Sequence, residues 1–417
     1  MSEKVKLAIL QRVCTNYRIP LFSSLNVHED IESLLFIGED LPNSKVRNSR
    51  NLAKVEHKKL KTRFVKFGRR MFPWHVGLIG ELRKYKPEVI LCEGESHFLG
   101  YLQAIWYKLL FNRKVALIHW CFISLPGEED RIDSFAFKIK KFFRRYFDAF
   151  LLYSSFSKKR LVAMGEAPEK AFVATNVGDI RKFIEMSDSL SLTKEEAKDR
   201  LNISGRFNVI YVGTLDQNKR PELLVELAKI CPSNKFNFVL LGDGPMKEEL
   251  REQVASLGLR NVLIAGRVID ELALYYRSSD VLLIPGRGGI VISEAMAFGI
   301  PVVVSKADGT EYDLVKNKIT GIHLDNDDLI SFKKAIDFLA DNKEVSDEMG
   351  KESRKMVETE FTTEKMVEHM IAATRYARTN RKNNNINAVC YKLYRPNSLQ
   401  PFVCYCPICH AKKENNR

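Results

Sequence analysis

The 417-residue sequence has few of the features that mark exported, membrane-spanning or metal-dependent proteins. No stretch approaches the ~18 uninterrupted apolar residues of a membrane-spanning helix. The first ten residues hold an acid and only a short apolar run, where a signal peptide needs a long one. In the body of the chain, no grouping of His, Asp and Glu has the spacing of metal ligands. We therefore expect a cytoplasmic protein without a bound metal.

Cysteine is also sparse, with eight residues that are scattered until the last thirty positions. Cys92, Cys121 and Cys231 lie in apolar runs and are typical of small buried hydrophobes, so a disulfide framework is not indicated. The segment Cys406–His410 spells C-x-x-C-H, but haem attachment to that motif requires export. Zinc binding by Cys404, Cys406, Cys409 and His410, with Cys390 as a fifth partner, is an alternative. We favour no defined role for this segment.

Charge is distributed unevenly along the chain, whose formal net charge is +14. Residues 205–365 contain 21 basic and 26 acidic residues, so the remainder carries +19. Residues 45–70 alone hold eleven basic residues against the single acid Glu56, and with residues 135–150 they are the expected contact with an anionic membrane surface. Residues 135–150 interleave phenylalanine with Lys and Arg, which predicts either a basic amphipathic helix on an anionic membrane or a core-facing helix with exposed cations. Nucleic-acid binding is disfavoured because no nucleic-acid-binding motif accompanies the charge.

Twelve short aliphatic runs alternate with helical patterns. Nearly continuous apolar strands separated by helices indicate parallel sheets that are covered on both faces. Two such series predict an α/β fold of two doubly wound, Rossmann-like domains that face a cleft. The predicted strands are 5–13, 34–38, 88–93, 115–120, 149–154 and 172–176 in the first series, and 207–213, 236–242, 261–266, 281–286, 301–305 and 321–324 in the second.

The polar stretch 185–205 separates the two series. We therefore assign residues 1–190 to a first domain and residues 205–364 to a second. A helical pattern at about 365–380 is assigned to the first domain, to which the chain would return. Residues 381–417 are Asn-rich and basic, which predicts a disordered tail. Ligands of doubly wound domains bind at the carboxyl ends of the strands.

Three strand-to-loop joints in the second series could carry chemistry. The first ends in Gly213 and continues through Lys219 and Arg220 to a helix, a combination that suits a diphosphate, although a plain turn is the alternative. The second, LLGDGPMK, contains Gly242 but has Lys247 where a dinucleotide fingerprint needs its third glycine. The third joins the glycine loop 287–289 to a helix with Glu294, where a carboxylate could accept two hydrogen bonds from a ribose diol.

The segments VGTL…NKRPELL, LLGDGPMKEELRE, GLRNVLIAGRV, YYRSSDVLLIPG and SEAMAFGIPVVVS resemble the donor-binding half of GT-B glycosyltransferases, in the retaining group known as family 4. The first series resembles the acceptor half more weakly, through QRVCTNYRIPLFSSL, KPEVILCEG and YFDAFLLYSSFSKKRLVAMG. The resemblance implies a two-domain GT-B fold and a nucleotide-diphospho-sugar as co-substrate, with no metal required.

The resemblance also implies roles for individual residues. Glu294 matches the second glutamate of the family's E-x7-E element, which holds the ribose, and Lys219 matches the lysine at the diphosphate. His119 is the candidate for the functional histidine of the first half, so the implied catalytic residues are His119, Lys219 and Glu294. The implied donor-binding residues are Gly213, Thr214, Lys219, Arg220, Gly242, Arg267, Gly288, Gly289, Ile290, Val291 and Glu294.

The sequence departs from the family pattern at two positions. Gly286 stands where the first glutamate of E-x7-E contacts the transferred sugar, and Thr214 stands where a basic residue often follows the first loop. We expect Lys219 and Arg220 to balance the diphosphate instead. Asp325-Asn-Asp327 spells the D-x-D metal element of another architecture, and we interpret it as a structural feature before a helix.

Three assignments in the first half keep an alternative. His119 could donate to the donor sugar or diphosphate, or it could be a hydrogen-bonded core histidine. Tyr17 and Arg18 could contact an acceptor, or they could form an exposed turn.

As a whole, the sequence predicts a glycosyltransferase acting on a glycan or lipid-linked acceptor in bacterial cell-surface polysaccharide or lipopolysaccharide synthesis. Its expected location is the cytoplasm, at the inner face of the cell membrane. The alternatives are a GT-B sugar-nucleotide epimerase or hydrolase, and an inactive GT-B-like scaffold subunit.

Overall fold

The computed structural model of the protein describes residues 4–41, 46–67, 70–94, 98–127, 135–203 and 205–387. Two parallel sheets dominate it, and all twelve strands predicted from the sequence are present. The first half contains β1 Val5–Gln11, β2 Ile31–Ile37, β3 His57–Lys59, β4 Thr62–Phe67, β5 Arg70–His75, β6 Val89–Glu93, β7 Ala116–Cys121, β8 Ala149–Leu152 and β9 Ala171–Val173. The second half contains β10 Phe207–Val212, β11 Phe236–Leu241, β12 Val262–Gly266, β13 Val281–Ile284, β14 Val302–Val304 and β15 Gly321–His323.

Helices cover both faces of these sheets. Those of the first half are α1 Ile19–Val27, α2 Leu78–Tyr85, α3 Phe98–Leu110, α4 Phe135–Arg144, α5 Ser155–Ala163 and α6 Ile180–Ser189. Those of the second half are α7 Lys194–Arg200, α8 Glu222–Ile230, α9 Lys247–Ser256, α10 Leu272–Arg277, α11 Val291–Ala297, α12 Glu311–Leu314, α13 Leu329–Asp341, α14 Lys343–Thr359 and α15 Thr363–Asn387.

Both sheets reverse their strand order at one point, as doubly wound sheets do. The first sheet has the order β3-β2-β1-β6-β7-β8-β9, and the second has the order β12-β11-β10-β13-β14-β15. All of these pairs are parallel, with Ile9 opposite Leu35 and Ile210 opposite Leu282 as examples of the register. The switch points therefore lie between β1 and β6 and between β10 and β13, where crevices open at the carboxyl ends of the strands. The predicted fold class is confirmed.

The basic run 45–70 contains structure that the sequence did not reveal. Strands β4 and β5 form an antiparallel hairpin, in which Arg63 pairs with Trp74, and the short strand β3 extends the first sheet. The hairpin packs on α3, since Trp74 and Trp106 lie edge to face with centroids 5.6 Å apart. The many Lys and Arg residues made the alternation of apolar and polar residues in these strands hard to recognise in the sequence. Exposed edge strands favour such cations on their open side.

The chain crosses between the two halves earlier than residue 190. Val177, Ile180 and Phe183 belong to the core of the second half, so the helix α6 packs with that half. The helix α15 returns to the first sheet, where Met370 and Ile371 are buried in its core. It continues to Asn387, so residues 381–387 of the predicted tail are helical. The rest of that tail, including Cys390 and the Cys406–His410 motif, lies outside the described residues.

The segment 135–150 is partly core-forming. It contains α4 and the start of β8, and Phe147 and Phe150 are buried. Phe142 is half exposed, and the guanidinium of Arg145 lies 3.6 Å from the centroid of its ring. The core-facing interpretation therefore applies to Phe147 and Phe150, and binding of the segment to a membrane stays a prediction.

Candidate functional site

A cleft of about 1490 Å³ lies between the two halves, at the carboxyl ends of their strands. The first half lines it with Thr15, Asn16, Tyr17, Val46, Arg47, Asn48, Arg50 and Asn51. The second half and the crossover line it with Asp179, Lys182, Phe183, Val212, Gly213, Thr214, Leu241, Gly242, Asp243, Arg267, Val268, Ile269, Leu272, Ile290 and Glu294. Seven of the site residues predicted from the sequence therefore line this one cleft: Tyr17, Gly213, Thr214, Gly242, Arg267, Ile290 and Glu294.

Glu294 stands in the first turn of α11, directly beside the chain that crosses between the halves. The backbone N–H of Gly178 donates to Ser293 Oγ over 3.0 Å, and a Cβ on Gly178 would lie 3.2 Å from Glu294 Cγ. The Tyr276 hydroxyl donates to Glu294 Oε2 over 3.2 Å. Burial raises the pKa of Glu294 to about 7, against the opposing effects of Tyr276 and Lys182. The carboxyl can therefore change its protonation state near neutral pH.

Two glycine loops meet back to back under the cleft. A Cβ on Gly242 would lie 1.7 Å from the carbonyl oxygen of Gly213, and a Cβ on Gly244 would lie 2.3 Å from that of Leu215. Only glycine permits such an approach, so the loops after β10 and β11 form one floor. Backbone rather than side chains forms this floor, as a closely bound ligand requires.

Lys219 shapes the glycine loop after β13. Its Nζ donates to the carbonyl oxygens of Arg287 and Gly288 over 3.0 and 2.8 Å. Burial lowers the pKa of Lys219, while Asp308 and Asp216 act in the opposite direction. Lys219 does not line the cleft itself. It lies behind the loop that leads to Ile290 and adds positive charge there.

Gly286 is close-packed against the loop that carries Lys219. A Cβ at this position would lie 2.7 Å from the carbonyl oxygen of Asn218 and 2.8 Å from the carbonyl carbon of Lys219. The N–H of Arg287 donates to the same Asn218 oxygen over 3.0 Å. A glutamate could not enter this position without moving the backbone. The departure from E-x7-E is therefore built into the packing.

Another carboxylate lies beside the glycine loop and was not found by sequence reasoning. Asp308 Oδ2 is 3.9 Å from the position that a Cβ would have on Gly289. Asp308 Oδ1 accepts from the backbone N–H and the hydroxyl of Thr310 over 3.1 and 2.5 Å, which fixes the side chain. In the sequence, Asp308 looks like any solvated loop acid. Its place beside Gly289 depends on a contact between residues that are distant in the chain.

Arg220 lies outside the cleft. Its guanidinium donates to Asp327 Oδ1 over 2.5 Å and to the carbonyl oxygen of Pro285 over 3.0 Å. Asp327 also accepts from Ser305 Oγ over 2.8 Å, and Asp328 caps α13 by accepting from the N–H of Ser331. Asp327, the second acid of the D-x-D segment, is therefore engaged in structural contacts, in accordance with the interpretation of this segment from the sequence.

On the first half, Tyr17 lines the cleft and Arg18 does not. Arg18 is buried, with its guanidinium 4.3 Å from the Trp120 ring centroid, and it donates to Asn176 Oδ1 over 2.8 Å. Its contacts also include the rings of Tyr17 and Tyr153. Arg18 thus ties the first switch point to the crossover. It supports Tyr17 from behind instead of facing a ligand.

His119 also lies off the cleft wall. Its ring stacks on Phe147 with centroids 4.6 Å apart, and Nδ1 lies 3.3 Å from Cys121 Sγ. Its Nε2 is buried without a hydrogen-bond partner among the described residues, and a Cβ on Gly94 would lie 2.0 Å from it. Burial, with smaller effects of Lys140 and Arg144, lowers the pKa of His119 to about 3. The histidine is neutral at physiological pH, and its catalytic role stays a prediction.

Among the described residues, no group of three or more His, Cys, Asp or Glu side chains could hold a metal ion. In the same part of the chain, every helix is too short or too polar to cross a membrane. Two remaining predicted residues, Gly288 and Val291, are buried in the loop and first turn that follow β13.

Comparison with known proteins finds a protein-family match within the second half. Residues 193–356 match the family model of glycosyl transferases group 1. The chain is 27% identical over 168 residues to the Campylobacter jejuni "GalNAc-alpha-(1->4)-GalNAc-alpha-(1->3)-diNAcBac-PP-undecaprenol alpha-1,4-N-acetyl-D-galactosaminyltransferase", covering 39% of this chain and 45% of the relative. It is 28% identical over 213 residues to the Escherichia coli "UDP-Gal:alpha-D-GlcNAc-diphosphoundecaprenol alpha-1,3-galactosyltransferase", covering 48% and 53%. The chain thus spans about half the length of these curated relatives.

A solved structure extends the likeness to both halves. Anabaena HepE in complex with UDP and glucose superposes with a TM-score of 0.67 at 15% identity, over 89% of this chain and 99% of that one. The protein therefore has the GT-B fold, with two doubly wound domains around a cleft. Residues 193–356, which match the model of glycosyl transferases group 1, lie within that fold.

Proposed function

We propose that this protein transfers a sugar from a nucleotide-diphospho-sugar to a glycan or lipid-linked acceptor, with retention of the anomeric configuration. The observation that carries the proposal is the half-buried Glu294 carboxyl on the wall of the cleft, at the switch point of the second sheet. The group 1 domain match supports the reaction class. The names of two relatives contain undecaprenol-linked diphosphates, which supports a role in cell-surface polysaccharide or lipopolysaccharide synthesis.

The donor site uses backbone and charge from the second half. Glu294 accepts hydrogen bonds from the ribose diol, and the floor at Gly213 and Gly242 lets the nucleotide approach the backbone. The first N–H groups of α11, near Ile290 and Val291, lack intrahelical acceptors and point toward the diphosphate.

The same elements favour the departure of the diphosphate. The leaving group gains negative charge in the transition state, where fixed donors and cations stabilise it. Lys219 supplies charge behind the glycine loop, and Arg267 supplies it at the cleft. We expect these groups to balance the diphosphate without a bound metal. Asp308, whose carboxylate lies beside Gly289, takes the place of the missing first glutamate toward the donor sugar.

The first half presents a surface suited to the anionic inner face of a membrane. Trp106, Leu110 and Phe111 at the end of α3 are exposed, and α4 adds the half-exposed Phe142. Exposed cations lie on the same part of the first half, with Arg63 and Lys66 on the hairpin, Lys138 and Lys141 on α4, and Arg145 directly after it. Interleaved basic and apolar groups favour peripheral binding to anionic lipids. Such binding would bring a lipid-linked acceptor to the cleft.

A thermal-shift panel of UDP, GDP, ADP, CMP and their common sugar conjugates tests the proposal. A ligand at a hundred times its dissociation constant stabilises the folded state by about 2.7 kcal/mol, which raises the melting temperature by degrees. We expect a shift with one nucleotide, and its loss in Glu294→Ala. The exposed Glu185 on α6 provides the control variant Glu185→Ala, which should keep the shift. No shift with any nucleotide would contradict the proposal and favour an inactive scaffold.

A further inference from the structure

We infer that Arg47 and Arg50 form an anion subsite on the first-half wall of the cleft, which binds a phosphate group of the acceptor. The inference rests on the proposed function and specifies the chemical class of its acceptor. Both arginines line the cleft, and both are exposed in it. The run 45–70 is therefore divided between two surfaces, since Arg47 and Arg50 face the cleft and the hairpin cations face outward.

The loop that carries the two arginines is held rigidly. Between them lie Asn48 and Ser49, whose side chains point inward. Asn48 Oδ1 accepts from the N–H of Cys14 over 2.9 Å, and its Nδ2 donates to the carbonyl oxygen of Gly38 over 3.0 Å. Ser49 is buried and donates from Oγ to Asn16 Oδ1 over 2.6 Å. These contacts fix the loop to the end of β1, so the neighbouring arginines are presented from a preformed base.

The charges on the two walls differ. The described first-half residues that line the cleft include two cations and no acid. The opposite wall has the cations Lys182 and Arg267 with the acids Asp179, Asp243 and Glu294. Two exposed arginines on one wall suit phosphate, which the planar guanidinium binds through paired, charge-assisted hydrogen bonds.

The position of the pair separates it from the donor diphosphate. The groups assigned to the donor all come from the second half, where they follow β10, β11, β12 and β13. Arg47 and Arg50 share their wall with Tyr17, which the sequence assigned to the acceptor side. A phosphate bound there would hold an acceptor across the cleft from the donor sugar. The phosphate could belong to a lipid diphosphate or to a soluble sugar phosphate.

The test measures binding of two phosphate probes to the full chain that is saturated with UDP, so that the donor site is filled. Farnesyl diphosphate represents the lipid source, glucose 1-phosphate represents the soluble source, and farnesol controls for apolar binding. We expect one of the two phosphate probes to bind the wild-type chain. Arg50→Ala and Arg47→Ala should each raise the dissociation constant of that probe about tenfold or more, because charge-assisted hydrogen bonds are lost. Arg50→Lys should be weakened less, because it keeps the charge and loses the fork.

The matched control is Lys54→Ala, which removes a cation from the same basic run outside the cleft. It should leave both probes unaffected, and UDP affinity should be unchanged in all of these variants. Melting curves establish that each variant is folded. Binding of both probes that is insensitive to Arg47 and Arg50, or equal binding of farnesol, would overturn the inference. Failure of the wild-type chain to bind any nucleotide would instead contradict the proposed function.

Discussion

The affinity for a nucleotide sugar should depend on pH through Glu294. Burial raises the pKa of this carboxyl to about 7 in the ligand-free protein. The ionised carboxylate offers an acceptor on both oxygens to the two hydroxyls of a ribose diol, whereas protonation turns one of these oxygens into a donor. Protonation below pH 7 therefore competes with binding, and affinity should rise as the pH rises through 7.

The size of the effect follows from the fraction of ionised carboxyl. With a pKa near 7, this fraction is about one tenth at pH 6 and about nine tenths at pH 8. The dissociation constant should therefore fall by about tenfold between these values, which corresponds to about 1.4 kcal/mol. In Glu294→Gln the dependence should disappear, because the amide does not titrate and offers an N–H where an acceptor is needed.

Calorimetric titration with UDP-glucose measures this dependence, since its diphosphate has no proton to lose near pH 7. The exposed carboxyl of Glu185 on α6 gives the matched control, because Glu185→Gln removes a carboxylate that does not line the cleft. Equal wild-type affinity at pH 6 and pH 8 would refute the reasoning. The same pH dependence in Glu294→Gln as in the wild type would refute it as well.

Two further variants examine the departures from the family pattern. Gly286→Glu would restore the missing glutamate, but its Cβ would collide with the carbonyl oxygen of Asn218, so we expect a loss of about 1–3 kcal/mol in unfolding free energy by denaturant titration. A stable and more active variant would contradict the packing argument. His119→Phe should keep the stack on Phe147 while removing a buried group whose pKa is lowered to about 3. A lowered histidine pKa makes the folded state lose stability as the pH falls below about 6.5. Between pH 7 and pH 5, the unfolding free energy of the variant should therefore fall by about 2 kcal/mol less than that of the wild type. Denaturant unfolding curves at the two pH values measure this difference. Identical pH dependence would contradict this, and unchanged transfer would exclude a catalytic role for His119.

The secondary structure was predictable because it follows from local patterns. Each of the twelve predicted strands is a short aliphatic run between turn residues, and burial on both faces of a parallel sheet demands that composition. The three strands that were missed, β3, β4 and β5, lie in a charged region, where packing against α3 supplies the apolar contacts. The sequence did not reveal that α6 packs with the second half, because the pattern of this helix is the same whichever core receives it.

The candidate site was likewise predictable only where local sequence patterns determine it. The sequence alone determined that Gly213, Gly242 and Glu294 follow strands of one sheet, and parallel strands bring their carboxyl ends to one edge. It did not determine that Arg18 is buried against Trp120, or that Arg47 and Arg50 line the cleft. Those outcomes depend on contacts between residues far apart in the chain, such as Gly178 with Ser293. The tertiary structure decided them, because a side chain's surroundings are set by what packs on it and not by its neighbours in sequence.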